Sequence, residues 1–266
     1  MLTGDWVYIG ALAAAFAIAT VASPAGVSGA VLLLPFQVGV LGTPSPAVTP
    51  TNLLYNVVAT PGAIYRYWRQ GQTGGRLTRV LVAGTLPGVI AGSILRVELL
   101  PGPHVFDVII AVVLVPLGVW LLVARKPTGV MGDRKQRLTT STITSLALAV
   151  GCVGGIYGIG GGSILAPVLI GSGRSPSEVA PATLVATFVT SVAGVVTFLV
   201  LATHHHGSIA PDWGVGLALG VGGLLGSYTG ARLQPRLPEV LIRRVLGLLV
   251  LAIGIRYAWL GLATPR

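Results

Sequence analysis

An all-α integral membrane fold, built from two copies of one five-segment unit set in opposite orientations, is what this sequence predicts. Three observations predict it. Apolar runs of span length fill the chain, one glycine–proline break occurs twice, and lysines and arginines gather in alternate loops. Only 9% of the 266 residues are charged and 53% are hydrophobic, with a mean hydropathy of +0.85, whereas a soluble domain is about 25% charged. Helices are the expected element because hydrocarbon offers backbone groups no partner but each other.

The segments follow in order. Residues 5–22 begin with Asp5 and Trp6 and lack a basic leader, so they are expected to remain as a span rather than be removed as a signal peptide. The break Ser23-Pro24-Ala25-Gly26-Val27-Ser28-Gly29-Ala30 leads into a short segment, 27–41, and segments 51–68, 78–96 and 105–124 complete the first unit. The polar stretch 125–140 separates it from the second unit, which divides the chain into a transmembrane repeat 1–124, a cytoplasmic linker 125–140 and a transmembrane repeat 141–266. In the second unit, 141–158 runs into the break Gly154-Gly155-Ile156-Tyr157-Gly158-Ile159-Gly160-Gly161-Gly162, followed by 162–171, 182–202, 213–231 and 240–260. A helix over 162–171 reaches only ~15 Å against a hydrocarbon core of ~30 Å. Residues 5–41 and 141–171 therefore read as hairpins with broken or re-entrant second arms.

Superposing Pro35 on Pro167 brings Gly26 onto Gly158, Gly29 onto Gly161, Pro44 onto Pro176, Thr51 onto Thr183 and Gly62 onto Gly194. With each unit opening on an out-and-back hairpin, fourteen of the seventeen basic residues fall on one side and only Arg96, Arg256 and Arg266 on the other. The positive-inside rule makes the basic side cytoplasmic, in the cell's inner membrane, with both termini outside. Five segments per unit turn the second copy upside down, which is an inverted repeat. A tandem repeat of four full spans per half is the competing arrangement.

Composition and motifs also exclude function classes. The net charge of +10 lies in short loops between spans, so it reads as topology and not as a nucleic-acid footprint. The lone Cys152 allows no internal disulfide and reads as a small packed side chain. His204-His205-His206 near Asp212 cannot all face one ion, so the triplet reads as an outer loop, and neither metal nor cofactor is expected. Gly26-Val27-Ser28-Gly29 matches the G-x-S-G of an intramembrane serine protease, but catalysis would need a histidine within hydrogen-bond reach, and His104 and the triplet all sit at segment ends.

The run Gly158-Ile159-Gly160-Gly161-Gly162-Ser163-Ile164-Leu165-Ala166-Pro167, with the proline-rich turn to Pro181 and then Thr183, resembles the TauE/SafE family over essentially the whole chain. The first copy departs from that pattern, with Ala25 and Ser28 at glycine positions and Pro24 ahead of the break. The resemblance implies a membrane transporter exporting sulfite or an organosulfonate. A passive anion channel, or a transporter of sulfate, thiosulfate or a carboxylate, stays open beside it.

A small oxyanion losing its water needs donors. Helix N-termini supply backbone N–H groups and about half a positive charge, and glycines let the backbone come close. Gly26, Ser28 and Gly29 in the first break and Gly160, Gly161, Gly162 and Ser163 in the second are the expected backbone half-sites. Asn52, Tyr55 and Asn56 share a helix face with Thr51, and Thr183 and Thr187, followed by Thr190 and Ser191, are the opposing donors. Tyr157 is a further candidate. Arg96, Glu98 and Asp107 sit at segment ends, where they would at most gate the mouth, and the absence of a charge within a span shows no proton-coupling residue, so the coupling ion, proton or sodium, is unresolved. The expected partners are a small anion and the lipid bilayer. Oligomeric state is not encoded in any motif.

Overall fold

The computed structural model describes residues 5–43, 47–99, 139–204 and 209–263, with isolated residues between 111 and 123. The described residues form helices and turns without strands: α1 (Asp5–Ala22), α2 (Ala30–Gly39), α3 (Val48–Arg69), α4 (Arg76–Glu98), α5 (Thr140–Tyr157), α6 (Gly161–Gly171), α7 (Pro176–Ala202), α8 (Trp213–Leu233) and α9 (Glu239–Ala263). The expected segment 105–124 and the linker 125–140 fall mostly outside the described residues.

Helix bounds follow the apolar runs closely, and the main departure has a local cause. α7 starts six residues before the expected 182, because Ser175 caps it by accepting from the Glu178 N–H and Pro176 takes its first turn. Proline there forfeits only a donor the helix could not use. The proline-rich stretch that reads as a turn is thus the start of a helix. α2 and α6 have 10 and 11 residues, about 15 Å of rise each, so neither crosses a ~30 Å hydrocarbon core as a helix.

Five helices among the described residues are long and apolar enough to cross a membrane: Val7–Ala25, Arg76–Glu98, Thr140–Tyr157, Pro176–Ala202 and Trp213–Arg236. α3 has the length, 22 residues, but carries buried threonines and asparagines along one side. That is the composition of a helix turned toward a polar interior.

Glycine seams join the helices. Added Cβ atoms at Gly222, Gly226 and Gly230 of α8 would strike the carbonyls of Leu12, Phe16 and Thr20 of α1. On α4, Gly84, Gly88 and Gly92 meet Thr144, Leu148 and Cys152 of α5 in the same way, and Gly151 and Gly155 of α5 meet Thr85 and Val89 in return. The contacts step in the same direction along both members, so each pair is parallel. Backbones approach this closely only where small residues line both faces, the mode by which helices associate in lipid. Cys152 is one of those small residues. α1 thus packs on α8 and α5 on α4, and the same spacing of three glycines, Gly84-x-x-x-Gly88-x-x-x-Gly92 and Gly222-x-x-x-Gly226-x-x-x-Gly230, lines both seams.

Candidate functional site

Both breaks close on a left-handed glycine. α1 passes through a short 3-10 turn, Ser23–Ala25, to Gly26 at φ 76°, and α5 ends on Gly158 at φ 73°. Any side chain is strained at such a φ, and space forbids one as well. A Cβ on Gly26 would lie 2.6 Å from the Ala180 Cα, and one on Gly158 would overlap the Thr49 carbonyl. Each break is therefore held against a helix distant in sequence, Gly26 on α7 and Gly158 on α3. After the turn, α2 starts at Ala30 behind Gly29 and α6 at Gly161 behind Gly160, neither with a side-chain cap. The first-turn N–H groups of both are left for other partners.

The two breaks meet. Ser28 Oγ and Ser163 Oγ are 2.9 Å apart, and the Ser28 N–H donates to Ser163 Oγ at 3.3 Å. Thr187 Oγ1 lies 3.5 Å beyond, and Thr190 Oγ1 accepts from the Gly161 N–H at 3.4 Å. Thr183 donates to the Gly26 carbonyl at 2.8 Å. Gly160, at φ 70°, would place a Cβ 2.7 Å from Thr187 Cγ2, and one on Gly162 would overlap the Thr183 carbonyl. Gly161 is similarly closed in by Thr85. Ser28, Ser163, Thr183, Thr187, Thr190 and Ser191 are all buried.

α3 supplies the amides. Asn52 Nδ2 donates to the Ala30 carbonyl at 3.0 Å, and its Oδ1 accepts from Gln37 Nε2 at 2.9 Å. Asn56 Nδ2 donates to the Gly158 carbonyl at 3.4 Å. Tyr55 is buried with its hydroxyl against Gly29, and Tyr157 is buried behind the second turn. So Ser28, Gly29, Tyr55 and Asn52 gather at the start of α2, and Asn56, Gly160, Gly161, Gly162, Ser163, Thr183 and Thr187 at the start of α6. Thr51 stands apart. Its hydroxyl accepts from the Asp212 N–H at 2.8 Å and pins the loop before α8, so the sequence pair Thr51–Thr183 has two different jobs.

Other expectations change with the structure. Arg96 sits in the last turn of α4 and is wholly buried, not spread at a mouth. Its guanidinium is enclosed by the bundle, the direction ionisable groups take in membrane helices. Asp212 caps α8, accepting from the Val215 N–H at 3.0 Å. His204 is exposed, and His104, Asp107, His205 and His206 lie outside the described residues. Ser28 has a hydroxyl, Ser163, as its partner, and a hydroxyl is no general base. Sequence reasoning missed Gln37 and Gln234. Gln37 was legible as a lone amide inside a short apolar run. Gln234 donates to the carbonyls of Pro24 and Pro176, 2.6 and 3.1 Å away, and so ties the first break to the start of α7.

A cavity of about 400 Å³ opens at the basic end, lined by Arg76, Thr78, Ile143, Arg174, Glu178 and Ala182 among others. Arg174 pairs with Glu178, and Arg76 donates to Thr140 Oγ1 at 3.4 Å. Ala182, on its wall, immediately precedes Thr183.

The whole chain can be set beside known proteins. A family model described as Sulfite exporter TauE/SafE matches residues 11–257. A probable membrane transporter protein of Xylella fastidiosa (strain Temecula1) is 28% identical over 243 residues, 88% of each chain. One from strain 9a5c is 26% identical over 249 residues, again 88% of each. The probable membrane transporter protein YunE of Bacillus subtilis is 29% identical over 119 residues, 44% of this chain and 41% of its own. Both glycine breaks, the serine contact between them and most of the helices that carry them fall within the matched span, and the chain belongs to the TauE/SafE family of multi-pass membrane transporters.

Proposed function

We propose that the protein moves a small sulfur oxyanion, sulfite or an organosulfonate, out of the cytoplasm by alternating access around the point where the two breaks meet. The observation that carries this reading is the Ser28–Ser163 contact, which brings two uncapped helix starts to one buried place. Hydroxyls, glycine N–H groups and the positive ends of α2 and α6 form a donor set suited to an oxyanion. Wholly buried Arg96 adds a full positive charge to the bundle interior.

The basic-end cavity is the cytoplasmic vestibule in this reading. Arg76 and Arg174 draw anions in, and the wall at Ala182 leads toward Thr183 and the first break. Helix directions support an inverted repeat of residues 1–124 and 141–266. Tyr67, near the end of α3, donates to the Ser23 carbonyl just past the end of α1, so α1 and α3 point the same way and α4 returns. α5 runs parallel to α4 and therefore against its counterpart α1.

Labelled sulfite flux in proteoliposomes, competed with sulfate, thiosulfate, taurine and acetate, tests the reading. Saturable, sulfur-selective flux that shows counterflow is the expected result. Non-saturable conduction of every anion would replace the transporter with a channel, and saturable flux of acetate alone would replace the substrate.

A further inference from the structure

We propose that the second break binds a sodium ion through neutral oxygens, and that this ion is the coupling ion of the transport cycle. The inference rests on the transporter reading above and adds a second ligand to it.

The hydrogen-bond network fixes which way two buried amides face. Asn52 must turn its Nδ2 to the Ala30 carbonyl, because a carbonyl only accepts. Its Oδ1 therefore faces Gln37, which must answer with Nε2. That leaves Gln37 Oε1 fully buried and without a donor. Asn56 is locked the same way: its Nδ2 answers the Gly158 carbonyl, and its Oδ1 is buried without a partner. Exchanging N and O in either amide would set two acceptors face to face. Asn52 and Asn56 are four residues apart on α3, so they share one helix face with their Cβ atoms ~5–6 Å apart.

A buried polar atom without a partner is costly, more so in a membrane. An oxyanion does not help either oxygen, since it too brings only acceptors. The local dipole argues the same way. Ile156 and Gly158 carbonyls, at the end of α5, are held by Thr49 Oγ1 at 3.2 Å and Asn56 Nδ2, so Asn56 stands at the negative end of a helix. Ser191 Oγ, also buried and unpartnered, lies 3.1 Å from where a Gly160 Cβ would stand. Amide, carbonyl and hydroxyl oxygens at a helix C-terminus form a ligand set for a hard monovalent cation. A broken helix separates two such ends, carbonyls toward the coupling ion and N–H groups toward the anionic substrate. None of these oxygens titrates near neutral pH, so a proton cannot take the ion's place.

Thermal unfolding of the purified protein in detergent, followed by tryptophan fluorescence, reads sodium binding directly. Gluconate salts of sodium, potassium and choline keep sulfur anions out of the measurement. A saturable, sodium-specific rise in Tm is expected, with the folded-to-unfolded ratio increasing about 100-fold at a hundredfold excess over Kd. Asn56→Leu and Ser191→Ala are expected to abolish that increment. Because the increment is read within each variant, a variant that merely destabilises lowers the baseline and keeps it. Equal Tm in sodium and choline, or an increment that survives both substitutions, overturns the proposal. Stabilisation by sulfite with no sodium effect would sink the cation site and leave the anion reading standing. A sodium increment without sulfite flux would do the reverse.

Discussion

The two breaks share a backbone and differ in what they do with it. Gly26 and Gly158 adopt nearly the same left-handed conformation at matching positions. The first break inserts a 3-10 turn and is sewn into the protein: Gly26 to Thr183, Pro24 to Gln234, Ser28 to Ser163. The second is held by Thr49 on the Ile156 carbonyl, Asn56 on the Gly158 carbonyl and Thr190 on the Gly161 N–H. It has a second positive-φ glycine, Gly160, and the unpartnered oxygens of Asn56 and Ser191 stand near it. The two kinks thus share a left-handed glycine while their side-chain partners differ: a threonine and a glutamine hold the first, and threonines and an asparagine hold the second.

Substitution at the shared glycines is the harshest test of that comparison. Gly26→Val and Gly158→Val each place a β-branched residue in the left-handed region, costing about 1–2 kcal/mol before any overlap. With the Ala180 backbone and the Thr49 carbonyl in the way, both are expected to lower the folded yield in membranes severely. Normal yield of either variant, by fluorescence-detected size exclusion, would show that the break relaxes without glycine.

Arg96→Gln comes next. Removing the buried guanidinium is expected to cut sulfite flux at least about tenfold, ~1.4 kcal/mol, while the protein still reaches the membrane. Arg96→Lys should recover part of the loss, since it keeps charge without the planar fork. Unchanged flux in Arg96→Gln would confine the anion site to backbone and hydroxyls.

The mildest and most discriminating change is the serine pair. Ser28→Ala removes the buried hydroxyl–hydroxyl hydrogen bond, worth ~1 kcal/mol, and Ser163→Ala removes that bond together with its other two. Ser163→Ala should slow transport more, because Ser163 Oγ also meets the Ser28 N–H and Thr187. A double-mutant cycle on transport is expected to give a coupling of about 0.5–3 kcal/mol. Additive losses would mean that the two breaks do not act as one site.

Much of this architecture was legible beforehand because lipid imposes one strong rule, that backbone polarity must be satisfied within the helix, and apolar runs therefore report helices nearly residue by residue. The breaks were legible for the complementary reason, that glycine and proline stand where the rule is suspended. The missed features depend on tertiary direction. Arg96 lies at the end of an apolar run, and its burial depends on how the last turn of α4 packs against the rest of the bundle. Thr51 and Thr183 are equivalent in sequence, yet α8 approaches one and the first break approaches the other. Gln37 announces polarity, but its role follows from the Asn52–Ala30 bond, which no local pattern encodes.

The stitching between units also sets a timetable for synthesis. The Gly158 carbonyl that Asn56 requires is made 102 residues after it, and Gln234 follows Pro24 by 210. At about 5–20 residues per second, the first unit spends roughly 5–20 s in the bilayer before Asn56 can pair, and about twice that before its own hairpin is tied down. During that interval Asn56 must shelter against the insertion machinery or against its neighbours. Slower translation prolongs the exposure, so the nascent first half is the stage at which quality control has the longest opportunity to remove the chain.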